Sequence, residues 1–141
     1  MRYLARREHT RAELHAKLLP HVPEGEDVGA VLDELEKRRW LSDARAAKAM
    51  VDAKRMRFGA KRIVHELRQK GVAENLIDES LTQLKGTELA AARVVWQKKF
   101  GKVPENEKKK AKQIRYIMSR GFSLEVAFKV LRETDTIDQN D

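Results

Sequence analysis

The feature that most restricts this chain is that it repeats itself. Setting HELRQKGVAENLIDESL (65–81) against YIMSRGFSLEVAFKVL (116–131) brings Leu67, Gly71, Val72, Leu76 and Leu81 opposite Ile117, Gly121, Phe122, Val126 and Leu131, each pair 50 positions apart. A weaker copy, AELHAKLLPHV (12–22), places Glu13 and Leu14 opposite Glu66 and Leu67 at a shift of 53, with Pro20 and Pro23 replacing the glycine turn and a longer loop after them. A period of this size marks a structural unit used in series, in which neighbouring units cover apolar surface that one alone cannot.

Within each copy the punctuation predicts three helices. Thr10 with Glu13 is a capping-box signature opening a helix over 10–19, and another helix follows over 26–39. Ser42 or Asp43 caps a longer helix to 58, which Gly59 is expected to end by taking a positive φ. Helices over 61–70 and 74–84 follow, with Gly71 between them. Thr87 caps a helix over 87–100 with Gly101 as its stop, a helix over 106–120 ends at Gly121, and Ser123 caps the last to about 132. With a stub over 2–7 the expected count is nine. Apolar residues recur at helical spacing: Ile63 with Leu67, Ile77 with Leu81 and Leu84, Leu89 with Ala92 and Trp96, Leu124 with Ala127 and Leu131.

One stripe per helix is too little for a single large core. The expected fold is therefore all-α, an elongated, curved array of tandem three-helix repeats over 1–43 (with a shortened first helix), 44–85 and 86–133, followed by an acidic, disordered tail at 134–141. Only three prolines and seven glycines interrupt 141 residues, and no alternating strand pattern competes. The chain has no cysteine, which excludes disulfides and thiolate chemistry and fits a cytoplasmic protein. No apolar run approaches the roughly 20 residues of a membrane span, so no membrane role is expected.

The formal charge is +8, which favours a polyanionic or acidic partner, and the charge is segregated. Residues 48–70 hold eight basic against two acidic side chains and residues 93–120 ten against two, whereas 20–36 carry six acids and no Lys or Arg. The candidate contacts with a partner or nucleic acid are Lys54, Arg55, Arg57, Lys61, Arg62, Arg68 and Lys70 in the first segment. In the second they are Lys98, Lys99, Lys108, Lys109, Lys110, Lys112, Arg115 and Arg120. On 61–70, Ile63, Val64 and Leu67 take the inner face and leave the cations outside. The cluster Lys108 to Arg115 opens a helix, where the backbone dipole opposes cations by roughly a few tenths of a kcal/mol. The alternative is a plain solvated lysine face. Either way such surfaces supply salt-dependent attraction to phosphates, and not base reading. Trp40, Trp96, Phe100 and Phe122 are assigned to core packing, while Tyr3 and Tyr116 are assigned to neither role.

Site chemistry is not evident. HELRQ (65–69) starts like the zinc-protease motif, but Gln69 stands where the second histidine belongs. His9, His15 and His21 recur every six residues and so point to different sides of a helix. Phosphate-loop, nucleophile-elbow and dinucleotide fingerprints are missing, so no enzyme, cofactor or metal is expected.

YLARREHTRAELHAKL (3–18), WLSDARAA (40–47), FGAKRIVHELRQKGV (58–72), KKFG (98–101) and IMSRGFS (117–123) together resemble the RecX family, bacterial regulators of the recombinase RecA, in order and spacing along residues 3–132. Ala46 stands where that family usually has an aromatic, Ala60 where it often has proline, and Ala73 where an acidic or hydroxyl cap is common. The resemblance implies tandem three-helix repeats and a non-enzymatic inhibitor in recombination, DNA repair and the SOS response. Such a protein binds in the helical groove of the RecA filament on DNA, blocks its growth and strand exchange, and reduces its ATP hydrolysis and coprotease action. DNA, single- or double-stranded, is then an auxiliary, sequence-independent contact. A monomer is expected, because no long heptad seam is present. The residues alone leave two other readings open: an autonomous helical DNA-binding module of helix-turn-helix type, or a plain helical adaptor.

Overall fold

A computed structural model describes residues 2–140, apart from the side chains of residues 2, 5 and 135–140. The described residues form α1 (Arg2–Arg6), α2 (Arg11–Leu18), a 3₁₀ turn (Leu19–His21), α3 (Val28–Lys37), α4 (Asp43–Lys54), α5 (Ala60–Gln69), α6 (Glu74–Lys85), α7 (Glu88–Lys99), α8 (Glu107–Ser119) and α9 (Leu124–Asn140), with no strand among them. None of these helices is long and apolar enough to cross a membrane.

The helix starts follow from local hydrogen bonding. Thr10 Oγ1 accepts the Glu13 N–H at 3.1 Å while the Glu13 carboxylate accepts the Thr10 N–H at 3.0 Å, which satisfies two donors that the first turn leaves without partners. Asp27, Ser42 and Asn106 cap α3, α4 and α8, and Ser123 Oγ accepts the Val126 N–H at the head of α9. Ala73 occupies the N-cap of α6 in extended conformation with no side chain to offer.

Four expectations need correction. Gly59 does not take a positive φ: it sits at φ −83° as the N-cap of α5, and α4 has already ended at Lys54. Its lack of a side chain is needed instead for a close backbone approach described below. The Thr87 hydroxyl does not cap α7: the residue's backbone, at φ −125° and ψ 1°, is not in the extended range of a cap, and its side-chain oxygen accepts from Arg55 instead. Trp40 is 51% exposed, held under the Arg38 guanidinium and not in a core. Finally, α9 does not stop near residue 132 and continues to Asn140. The expectation of a disordered tail falls on 134–141, whose side chains beyond 134 lie outside the described residues.

Three separate cores account for the packing, one per helix triad. Leu14, Val28, Leu32, Leu35 and Leu41 form the first, with Tyr3 and Leu4 of α1 against it. The second gathers Ala47 and Val51 of α4, Ile63, Val64 and Leu67 of α5, and Ile77 and Leu84 of α6 around Val72. In the third, Ala91, Ala92, Val95 and Trp96 meet Ile117, Phe122, Ala127, Val130 and Leu131. Each large side chain so buried contributes about 1.5–3 kcal/mol. The accessible area, 9395 Å² for 16.3 kDa, exceeds the roughly 7,500 Å² of a compact monomer of that mass, as an elongated array requires.

The triads join by one device used twice. Thr10, at the head of α2, donates its hydroxyl to the Lys70 carbonyl at 2.6 Å, on the turn that ends α5. Gly59, at the head of α5, donates its N–H to the Arg120 carbonyl at 2.8 Å, on the equivalent turn ending α8, and the Lys61 N–H reaches the Gly121 carbonyl at 3.2 Å. The middle helices of the first two triads thus each rest the N-terminus on the C-terminal turn of the next triad's middle helix.

Candidate nucleic-acid and partner interface

The cations singled out in the sequence fall into two groups by what they touch. Lys54 is ion-paired with Glu66 at 2.7 Å, Arg68 with Glu74 at 2.8 Å and Lys109 with Glu105 at 2.8 Å. Lys70 lies 3.9 Å from Glu13, and Arg55 is spent on Thr87 at 2.7 Å, clasping the second triad to the third. These five serve the fold or are neutralised locally. In contrast, Arg57, Lys61, Arg62, Lys98, Lys99, Lys108, Lys110, Lys112, Arg115 and Arg120 pair with no carboxylate among the described residues.

Eight of the second group occupy two places. Lys108, Lys112 and Arg115 are exposed at spacings of four and three on α8, so they stand in one row on its outer face. Arg57, Arg62, Lys98, Lys99 and Arg120 gather instead where the second and third triads meet, around two half-buried aromatic rings. The Phe58 ring has the Arg62 guanidinium 4.1 Å from its centroid, Arg120 at 5.3 Å and Arg57 at 5.6 Å. Tyr116 has Lys99 at 5.2 Å and Arg120 at 5.4 Å, and its hydroxyl accepts two N–H bonds from Arg120 at 3.0 and 3.2 Å. Phe100 packs edge-on to Tyr116, which fixes that ring. Between the rings lies a cleft of about 290 Å³ with Val94 and Val95 in its wall and no acidic residue in its lining.

Sequence reasoning counted the cations of this cleft but missed Phe58 and left Tyr116 unassigned. The signal was present: Phe58 precedes Arg62, and Tyr116 precedes Arg120, by four residues. The cleft forms because Gly59 and Gly121 let the two triads touch through their backbones, which brings Phe58 and Arg120 together from 62 residues apart.

The array and its sequence have known counterparts. Residues 42–81 match the second three-helix domain of RecX and residues 87–131 the third. The regulatory protein RecX of Leptothrix cholodnii is 44% identical over 135 residues, spanning 96% of this chain and 86% of that protein; that of Ralstonia pickettii is 42% identical over 135 residues, spanning 96% and 85%. In fold, the crystal structure of RecX from Lactobacillus salivarius superimposes with a TM-score of 0.81 at 19% identity, covering 96% of this chain and 91% of its own. With relatives this similar along nearly its whole length, and with the matching triads in the same order, the chain belongs to the RecX family of regulatory proteins.

Proposed function

We propose that this protein is a negative regulator of the recombinase RecA, a non-enzymatic one that binds the RecA–DNA nucleoprotein filament and suppresses ATP hydrolysis, strand exchange and coprotease activity. The observation that carries this reading is family membership along nearly the entire chain, joined to a set of cations left without carboxylate partners on the second and third triads. Charges that stabilise a fold are neutralised inside it, as Lys54 is by Glu66. Charges left free are available to a polyanion, where each phosphate contacted releases counterions. An elongated body carrying them along its length can reach several protomers of a filament and the phosphates of the enclosed strand, as a monomer working in the cytoplasm. Occupying that groove leaves no room for a second DNA strand.

The test is a titration into RecA on single-stranded DNA with ATP. Hydrolysis and strand exchange should both fall as the protein approaches stoichiometry with the filament. Undiminished rates at that level would overturn the proposal.

A further inference from the structure

We propose that the cleft between the second and third triads is a site for one unstacked nucleotide of single-stranded DNA, its base against Tyr116 and Phe58, its phosphates on Arg57, Lys99 and Arg120. The proposal deepens the DNA contact in the regulatory reading and rests on it, but it is tested with the recombinase absent.

Three observations point to this ligand. Cations converge here on two aromatic rings with no carboxylate in the cleft lining, although like charges at this range repel. A purely structural cluster would be neutralised, as Arg68 is by Glu74. The arginines are also held in place: the Arg62 guanidinium lies over the Phe58 ring, 4.1 Å from its centroid, and Arg120 is fixed by two hydrogen bonds to the Tyr116 hydroxyl. A guanidinium held this way presents N–H donors to a phosphate, while the two rings offer planar surfaces against which a base can stack. Finally, the cleft is concave and partly apolar, with Val94 and Val95 in its wall, and its volume of about 290 Å³, just below the roughly 300–1,000 Å³ of sites for whole small ligands, suits a single nucleotide unit.

Those features select among polyanions. Duplex DNA keeps its bases stacked and presents a smooth phosphate surface that would leave the apolar wall empty. An acidic peptide would satisfy the cations but has no regular planar group for the rings. Single-stranded DNA supplies both, because its bases are free to splay onto aromatic and arginine planes.

The experiment is fluorescence anisotropy with a labelled twelve-residue oligothymidylate and with a duplex of equal length, at low salt. The single strand should bind more tightly than the duplex. Tyr116→Leu and Phe58→Leu should each weaken single-strand binding by about five- to hundredfold, the range of one lost stacking partner, while changing duplex binding by less than about twofold. Lys108→Gln, outside the cleft, should weaken both alike. Equal affinity for the two forms, equal losses on both from the cleft variants, no measurable oligothymidylate binding, or displacement by polyglutamate as effective as by oligodeoxyadenylate would each overturn the assignment. Because Tyr116→Leu can loosen the packing with Phe100, a second measurement uses the unaltered protein: oligothymidylate carrying 5-iodouracil should photocrosslink to Tyr116 or Phe58, and crosslinks found only elsewhere would overturn it. Intact oligothymidylate binding without suppression of RecA hydrolysis would count against the regulatory reading alone.

Discussion

Gly59 and Gly121 meet backbone to backbone: a Cβ added to Gly59 would lie 2.4 Å from the carbonyl carbon and oxygen of Gly121. The reverse holds as well, since a Cβ on Gly121 would lie 2.5 Å from that of Arg62. Two hydrogen bonds, Gly59 N–H to the Arg120 carbonyl and Lys61 N–H to the Gly121 carbonyl, replace the side-chain packing that usually joins helices. The junction therefore has a defined geometry, and the cleft around Phe58 inherits it.

Gly59→Ala should lower stability by about 1–3 kcal/mol, because the atoms met are backbone and cannot turn aside. Gly86→Ala is the contrast. Its φ of −72° suits any residue and the nearest atom to a new Cβ is 4.0 Å away, so it should raise stability by about 0.4–1 kcal/mol through the unfolded state. Urea unfolding of both variants decides the matter; equal effects would show that the close approach is not what keeps glycine at position 59.

The end of α3 carries a residue in the wrong conformation for its side chain. Arg39 has φ +62°, and the N–H of Trp40 reaches the Leu35 carbonyl at 2.9 Å, the hydrogen bonding of a turn that elsewhere in this chain uses Gly71. Arg39→Gly should stabilise by about 1 kcal/mol. Ala73→Ser, which supplies the cap that α6 lacks, should add about 1 kcal/mol more. The sites share no contact that would couple them, so the double variant should show the sum in thermal unfolding.

These examples show what the sequence made legible. Caps at Thr10, Ser42 and Ser123 could be read because the donors they satisfy lie within one turn. Gly71 and Gly121 could be read because the repeat displays the same turn twice. Gly59 was assigned the wrong reason because its constraint is set by a backbone 62 residues away. Trp40 was misplaced because a lone aromatic beside a helix end has the same pattern whether it turns inward or lies under an arginine. At the candidate site, the sequence showed how many cations each segment holds. Which of them are cancelled by Glu66, Glu74 or Glu105 depends on side-chain placement.

Trp96 is 5% exposed and donates its indole N–H to Gln113 Oε1 at 2.9 Å, while the Gln113 amide donates to the Lys102 carbonyl at 3.2 Å. Gln113→Leu fills the space but leaves the buried Trp96 indole N–H without a partner and takes a donor from the Lys102 carbonyl. It should cost about 1–3 kcal/mol for each group that water cannot reach, read from urea unfolding followed by tryptophan fluorescence. A neutral outcome would mean that water reaches the indole.

His9 sets a pH dependence. It is 1% exposed, with Nδ1 placed at 3.1 Å to donate to the Arg7 carbonyl and Nε2 at 3.0 Å to accept from the Lys17 ammonium, an arrangement that only a neutral imidazole satisfies. Burial, opposed in part by the Arg7 carbonyl and reinforced by the Arg7 and Lys17 charges, holds its pKa below the ordinary value. The unfolded chain then takes up the proton at higher pH than the folded one. The His9 contribution is thus complete above the ordinary histidine value of about 6.5 and is lost as pH falls below it. Between about pH 7.5 and 5.5 the melting temperature of the protein should fall more than that of His9→Gln. Parallel curves would remove His9 from the account.

The row of Lys108, Lys112 and Arg115 on α8 supplies a prediction in which salt is the variable. If these three cations contact phosphates, replacing all three with glutamine removes about three released counterions, and the slope of log affinity against log salt for single-stranded DNA should become shallower by about 2. Suppression of RecA hydrolysis should weaken in parallel, with no change in thermal unfolding, since all three side chains are exposed and unpaired with any described carboxylate. Arg68→Gln and Lys109→Gln remove cations of the same type that Glu74 and Glu105 already neutralise. Each should change the slope by less than one third of the triple variant's effect. Should the paired and unpaired cations prove equivalent in that measurement, carboxylate pairing would not be what separates binding cations from structural ones on this surface.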